Sequence, residues 1–256
     1  MLEKKRVWNI GVSVGSRERI KQGVLEAVAN GGAATCVACV NPHSQVVAAS
    51  DPEFQAALEG FDVLLPDGVG TVMAARFLGV QGIERFTGPD FFSEMCMQLN
   101  DSEGGATFFF VGSTPFVLEK IESKMSQLYP NIDVVGAYSP PFGDSHYREL
   151  DEELVERINR AAPSFVWVGM TAPKQELWMR LYAGVLNAGA LIAIGAEFDY
   201  FAETKRRPPK LVSRIGLQWM HRLIEEPRRT WRRHFVSMPL YVWNVMRERF
   251  GAARAK

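Results

Sequence analysis

An alternation running through the first 200 residues constrains this chain more than anything else. Short apolar runs stand at 7–14, 35–40, 61–65, 107–111, 132–135, 164–169 and 190–195. Stretches with helical spacing lie between them, at 17–30, 43–59, 70–78, 89–100, 115–129, 147–161 and 173–187. Most of the runs are continuously apolar, as strands covered on both faces are. Pro89, Pro115 and Pro173 stand where helices would begin, a position that tolerates a missing N–H. The pattern predicts an α/β, Rossmann-like fold, with a largely parallel sheet flanked by helices. Ligands in such folds bind beyond the carboxyl ends of the strands.

After Gly195 the pattern changes. Lys205-Arg-Arg-Pro-Pro-Lys210 is a basic, proline-rich break, and beyond it Leu211, Ile215, Trp219 and Leu223 recur every four residues. The reading is a body, 1–204, and a C-terminal helical appendage, 205–256, interrupted at Pro227 and Pro239. Charge divides at the same place. The appendage holds 14 basic and 3 acidic residues, a net of +11, and the body a net of −11, within a chain whose formal net charge is zero. A basic tail on an acidic body suits a polyanionic partner: nucleic acid, anionic lipid or a phosphorylated lipid. A solvated helix face would have the same composition.

Hydrophobic residues at 47% and charged residues at 23% exclude disorder and low-complexity classes. The longest uncharged stretches, 27–50 and 181–196, are interrupted by polar residues and glycine, and neither matches a membrane span. Met1-Leu-Glu-Lys-Lys-Arg6 has no apolar core, so it does not read as a signal peptide. Three cysteines make no disulfide framework and point to a reducing compartment. The expected location is cytoplasmic, peripheral on the inner face of the membrane.

The sharpest local feature is Leu64-Leu-Pro-Asp-Gly-Val-Gly-Thr71. A buried strand ends in an acid, followed by glycines and a helix. Asp67 would stand at the carboxyl end of that strand, as a general base beside an anion site or as a helix cap. A dinucleotide fingerprint fails here because Met73 stands where it needs Gly or Ala, which argues against an NAD-dependent oxidoreductase. Two further turns share the layout, Phe110-Val-Gly-Ser-Thr-Pro115 and Val168-Gly-Met-Thr-Ala-Pro-Lys-Gln-Glu176. Each would offer backbone N–H groups to phosphate, Gly112 and Ser113 among them. Lys174 and Gln175 in a first helical turn run against the dipole preference, which favours a ligand role. Cys36 and Cys39 would face opposite sides of a strand and read as packing rather than a zinc or redox pair. His43, His146, His221 and His234 have no metal-ligand spacing. Glu197-Phe-Asp199 is the nearest approach to the Asp-x-Asp of a metal-bound nucleotide diphosphate.

Taken together, "NPHSQVVAASDPEFQAAL", "FDVLLPDGVGTVMAARFLG", "ERFTGPDFF", "FFFVGSTP", "VWVGMTAPKQELWM", "IGAEFDYFAETKRRPP" and "RLIEEPRRTWRR" resemble, in order, the WecG/TagA/CpsF bacterial glycosyltransferases, glycosyltransferase family 26. That resemblance implies transfer of a sugar, of N-acetylmannosamine type, glucose or a uronic acid, from a UDP-sugar to an undecaprenyl-diphosphate-linked sugar in the synthesis of a cell-wall polymer, capsule or exopolysaccharide, with inversion and without a metal or other cofactor. It also implies a Rossmann-like fold whose C-terminal appendage helps close the site and reach the membrane. By motif matching, Asp67 is the base and Arg85 lies near the donor. Asn41, Tyr138, Gln175 and Asp199 would line the nucleotide or donor pocket, and Arg222, Arg229 and Arg232 would hold the acceptor diphosphate. The family commonly has Thr where this chain has Cys39, so a hydroxyl donor becomes a weaker thiol donor. The expected partners are UDP-sugar, the polyprenyl-diphosphate acceptor and an anionic membrane surface. No nucleic acid is expected, and a homo-oligomer is left open. The competing reading is a nucleic-acid-binding protein with a Rossmann-like body. The mixture of Trp219, Trp231, Tyr241 and Trp243 with arginine suits a membrane interface as well as base stacking.

Overall fold

A computed structural model describes residues 2–141, 147–205 and 227–254, with side chains in the last segment described for 230–251. Six parallel strands form one sheet in the order β4-β3-β8-β7-β5-β6. They are β3 (Thr35–Val40), β4 (Val63–Pro66), β5 (Ala106–Gly112), β6 (Ile132–Tyr138), β7 (Phe165–Gly169) and β8 (Ala190–Ala193). β3, β4, β7 and β8 are buried along almost their whole length, which is why they read as continuous apolar runs. Because all six run the same way, their carboxyl ends share one edge.

Helices cover both faces. Helices α2 (Pro42–Ser50), α3 (Pro52–Gly60), α4 (Val69–Phe77), α7 (Glu152–Ala161) and α8 (Lys174–Tyr182) pack on one. The other is covered by α1 (Arg17–Asn30), α5 (Gly88–Asn100), α6 (Pro115–Leu128) and the short α9 (Glu197–Phe201). Alternation along β3 sends Cys36, Ala38 and Val40 into the first layer, and Val37 and Cys39 toward the second. The two cysteines therefore face opposite sides of the sheet, as their spacing requires.

The structure corrects three expectations. The apolar run at 7–14 adds no strand to the sheet. It is half of an antiparallel hairpin, β1 (Lys4–Val7) with β2 (Ile10–Ser13), turning at Trp8-Asn9, and Ser13 Oγ accepts from Leu64 N–H at 2.9 Å. The expected helix at 43–59 is two helices. Asp51 ends α2 and its carboxylate accepts from Glu53 and Phe54 N–H to start α3. Finally, Pro239 does not interrupt the appendage. Pro227–Arg232 (α10), a π-helical segment Arg233–Ser237 and Met238–Arg254 (α11) follow one another directly. Proline lacks an N–H and crowds the carbonyl four residues back, here Phe235, and the wider π turn at that point accommodates both defects.

α11 packs back on the body. Tyr241 and Val245 are buried in the same layer as α2 and α4, Tyr241 meets Trp8 edge-on at 5.6 Å, and its hydroxyl accepts from Gln45 Nε2 at 3.2 Å. Among the described residues, no helix is long and apolar enough to cross a membrane.

Candidate active site

The carboxyl edge of the sheet gathers the polar residues that the apolar strands exclude. Asp67 directly follows β4 and is half-buried. Its N–H donates to Val40 O at 2.8 Å, which ties it to the end of β3. The N-cap of α4 is Gly68, at φ 93°, with no side-chain cap bond. The capping role open to Asp67 in the sequence is thus not the one the fold assigns. Thr71 Oγ1 closes the turn by donating to Asp67 O at 3.3 Å. Gly70 permits a close approach: a Cβ there would lie 2.7 Å from Pro42 Cγ. The first turns of α4 and α2 are therefore in contact, with Asp67 and Asn41 at their heads.

Asn41 caps α2. Its Oδ1 accepts from Ser44 N–H at 3.0 Å, and Ser44 Oγ bonds back to Asn41 N. Cys39 Sγ donates weakly to Ala193 O at 3.7 Å and lies where a Cβ on Gly88 would come within 3.1 Å. Burial, Asp67 and Glu176 all push the Cys39 thiol well above its ordinary range, so it is a neutral S–H.

The ends of β7 and β8 are linked by side chains. Gly195 N–H donates to Gln175 Oε1 at 3.1 Å, and Gln175 Nε2 donates to Glu176 Oε1 at 2.8 Å. Glu176 is 1% exposed, and burial lifts its carboxyl to about 7, against the lowering effect of the Gln175 bond and of its own backbone N–H. A folded chain that holds a proton which the unfolded chain releases loses stability as pH rises from 4.5 through 7. Glu176→Gln removes that penalty while keeping an acceptor for Gln175. The variant should melt with the wild type near pH 4.5 and be the more stable protein at pH 8, by up to about 3 kcal/mol. Equal melting temperatures at pH 8 would mean that the carboxylate is not buried in solution.

Farther along the edge, β5 ends in Gly112, at φ 119°, where a Cβ would lie 2.6 Å from Gly169 O. Ser113 follows at φ 58°, its carbonyl accepting from Ser139 Oγ at 2.7 Å, and Thr114 caps α6. The arrangement is a row of helix N-termini with the half-buried carboxylate of Asp67 at one end.

The model of the WecG/TagA/CpsF glycosyltransferase family matches residues 5–255 of this chain. The chain belongs to that family. It is 32% identical over 213 residues to the N-acetylglucosaminyldiphosphoundecaprenol N-acetyl-beta-D-mannosaminyltransferase of Bacillus subtilis, covering 83% of this chain and 79% of that one. To the protein of the same description in Bacillus spizizenii it is 28% identical over 218 residues, covering 85% and 81%.

Not all the residues this WecG/TagA/CpsF member shares by motif are brought together. Asp67, Asn41, Cys39, Gln175, Gly112 and Ser113 share the carboxyl edge. Arg85 is brought beside it, since Phe86 N–H donates to Pro66 O at 3.0 Å. Its guanidinium lies 3.6 Å from Asp90, in a network with Arg17, Glu84, Glu94 and Lys21. Tyr138 ends β6 at the far side of the sheet. It donates to Asp151 Oδ2 at 2.6 Å, and burial and that bond push its hydroxyl up to about 12. With Pro140, Pro141, Trp178 and Tyr182 it lines a cavity of about 160 Å³. Asp199 pairs with Lys205 at 2.9 Å, whereas Glu197 is buried beside Cys96. Among the described residues, no group of three or more His, Cys, Asp or Glu side chains could hold a metal ion. Lys174 lies 5.5 Å over the Tyr147 ring. Arg222 lies outside the described residues, and Arg229 is placed only as a position in α10. Arg232 is exposed, 5.7 Å over the Trp231 ring.

Three residues were missed by sequence reading. Glu176 stands in the same motif as Gln175 but is distinguished only by its burial. His43 Nδ1 meets Ser237 Oγ at 2.8 Å, joining the head of α2 to the appendage. Burial, Arg233 and His234 lower His43 to about 4, so it is neutral at pH 7. Arg233 thereby brings positive charge near the head of α2.

Proposed function

We propose that this chain transfers a sugar, with inversion, from a UDP-sugar to an undecaprenyl-diphosphate-linked sugar in the synthesis of a cell-wall polymer, capsule or exopolysaccharide. The names of its Bacillus relatives support an N-acetylmannosamine-type donor and an N-acetylglucosamine-bearing lipid acceptor. The carrying observation is Asp67, half-buried at the carboxyl end of β4 beside the abutting heads of α2 and α4.

In this reading Asp67 takes the proton of the acceptor hydroxyl while that oxygen attacks the anomeric carbon. The bond from the anomeric carbon to UDP breaks, and its electron pair leaves with the diphosphate. The transition state is oxocarbenium-like. Charge developing on UDP is met by Arg85 and by N–H groups at helix heads rather than by a metal. The chain works at a membrane surface, because the acceptor is a lipid and α11 presents an apolar face.

The test is a donor screen with purified protein and a lipid-diphosphate sugar acceptor, preceded by thermal shift with UDP, NAD and single-stranded DNA. UDP alone should stabilise, and transfer should continue in EDTA. Stabilisation by DNA alone would favour the nucleic-acid reading. Loss of transfer on chelation with recovery by Mg²⁺ or Mn²⁺ would refute metal independence.

A further inference from the structure

Arg17 opens α1, where a cation runs against the helix dipole, and it lies outside the motifs that carry the family resemblance. What its guanidinium holds accounts for its place. Nε donates to Arg85 O at 3.1 Å, Nη1 to Glu94 Oε1 at 2.8 Å and Nη2 to Asp90 Oδ2 at 3.4 Å. Glu84 Oε1 lies 3.6 Å from Nε, and the guanidinium sits 5.1 Å over the Phe86 ring. The main chain on either side of Arg85 is tied as well. Gly15 N–H donates to Gly82 O at 2.8 Å, and Phe86 N–H donates to Pro66 O, next to Asp67. Asp90 is the third residue of α5, after the Thr87 cap. Its Oδ2 bridges two guanidinium groups, Arg17 Nη2 at 3.4 Å and Arg85 Nη2 at 3.6 Å. One side chain, Arg17, therefore sets both the backbone carbonyl of Arg85 and the carboxylate beside its guanidinium. These groups are partly exposed, and ion pairs of that kind contribute little to stability. A planar fork that spans several acceptors does fix geometry.

We infer that Arg17 is a positioning residue for sugar transfer: it aims Arg85 at the departing diphosphate, holding the Arg85 carbonyl directly and its guanidinium through Asp90. This inference rests on the UDP-sugar reading above. Among the described residues, the Arg85 guanidinium meets Asp90 through Nη2, which leaves Nε and Nη1 for phosphate oxygens.

The test is a double-mutant cycle on the full chain. It is read by steady-state transfer to a lipid-diphosphate N-acetylglucosamine acceptor from the best of UDP-N-acetylmannosamine, UDP-N-acetylglucosamine and UDP-glucose, with a melting curve for each variant. Arg17→Lys keeps a positive charge among Glu84, Asp90 and Glu94 but loses the fork. It should lower kcat about tenfold, with the donor KM within about twofold and the melting temperature near wild type. Asp90→Asn should show the same split. Arg85→Ala should lower kcat about a hundredfold. Adding Arg17→Lys to it should cost less than about twofold more, because Arg17 then has nothing left to aim. A full tenfold loss that persists in the Arg85→Ala background overturns the inference, as does an Arg17→Lys variant as active as wild type. A loss of kcat that follows a large fall in melting temperature makes Arg17 structural and also overturns it. Near-wild-type transfer by Arg85→Ala removes Arg85 from the mechanism, and the inference with it, while the sugar-transfer reading stands. Wild-type protein that transfers from none of the three donors overturns the donor reading itself, and the inference with it.

Discussion

Asp67→Asn is expected to lower the rate of sugar transfer by about 10²–10⁴-fold while leaving uridine nucleotide affinity and thermal stability near wild type. The size is that of a general base. The selectivity comes from the local structure. The cap of α4 is Gly68, and the turn is held by the Asp67 N–H and carbonyl, both of which asparagine retains. Steady-state transfer measured beside calorimetric UDP binding checks both halves. Activity within a few-fold of wild type would remove Asp67 from the mechanism. A parallel loss of UDP affinity would make it a binding residue instead.

The second large effect concerns the membrane. α11 exposes Trp243 at 66% and Phe250 at 57%, and Phe250 meets Phe77 of α4 edge-on at 6.3 Å. α4 itself exposes Met73 at 63%, so the two helices share an apolar surface of a kind that soluble monomers rarely leave uncovered. Replacing Trp243 and Phe250 together by Glu should reduce partitioning onto anionic vesicles roughly a thousandfold, at about 2 kcal/mol for each buried side chain. The melting temperature should hold, because both side chains are largely exposed. Wild-type binding should weaken at high salt, since each basic residue near the surface contributes about 1 kcal/mol and is screened. A salt-resistant remainder should persist and be the part that the double variant lacks. Unchanged vesicle binding by the variant, or wild-type binding wholly abolished by salt, would place the contact elsewhere. Deleting everything after Lys210 is a blunter test, because it also strips Tyr241 and Val245 from the core.

The sequence by itself determined the layered α/β class, the position of Asp67 and the opposed cysteines. Each of these depends on local pattern. A strand covered on both faces is apolar without interruption, an acid at its end needs water or a ligand, and residues three apart on a strand point opposite ways. The turn layout added Gly112 and Ser113, and family motifs added Asn41 and Gln175, all of which the fold brings to one edge. Tertiary structure alone decided the rest. The run at 7–14 is as apolar as a sheet strand, and only its pairing across Trp8-Asn9 makes it a hairpin. Pro239 reads as a break, yet a π turn in the residues before it carries the helix through. Glu176 looks like any exposed acid in a first helical turn, and its burial, its bond to Gln175 and its raised pKa come from packing over the ends of β7 and β8. His43 and Ser237 meet across 194 residues of chain. Local periodicity is written within a few neighbours, whereas the burial of a polar atom depends on everything that packs around it.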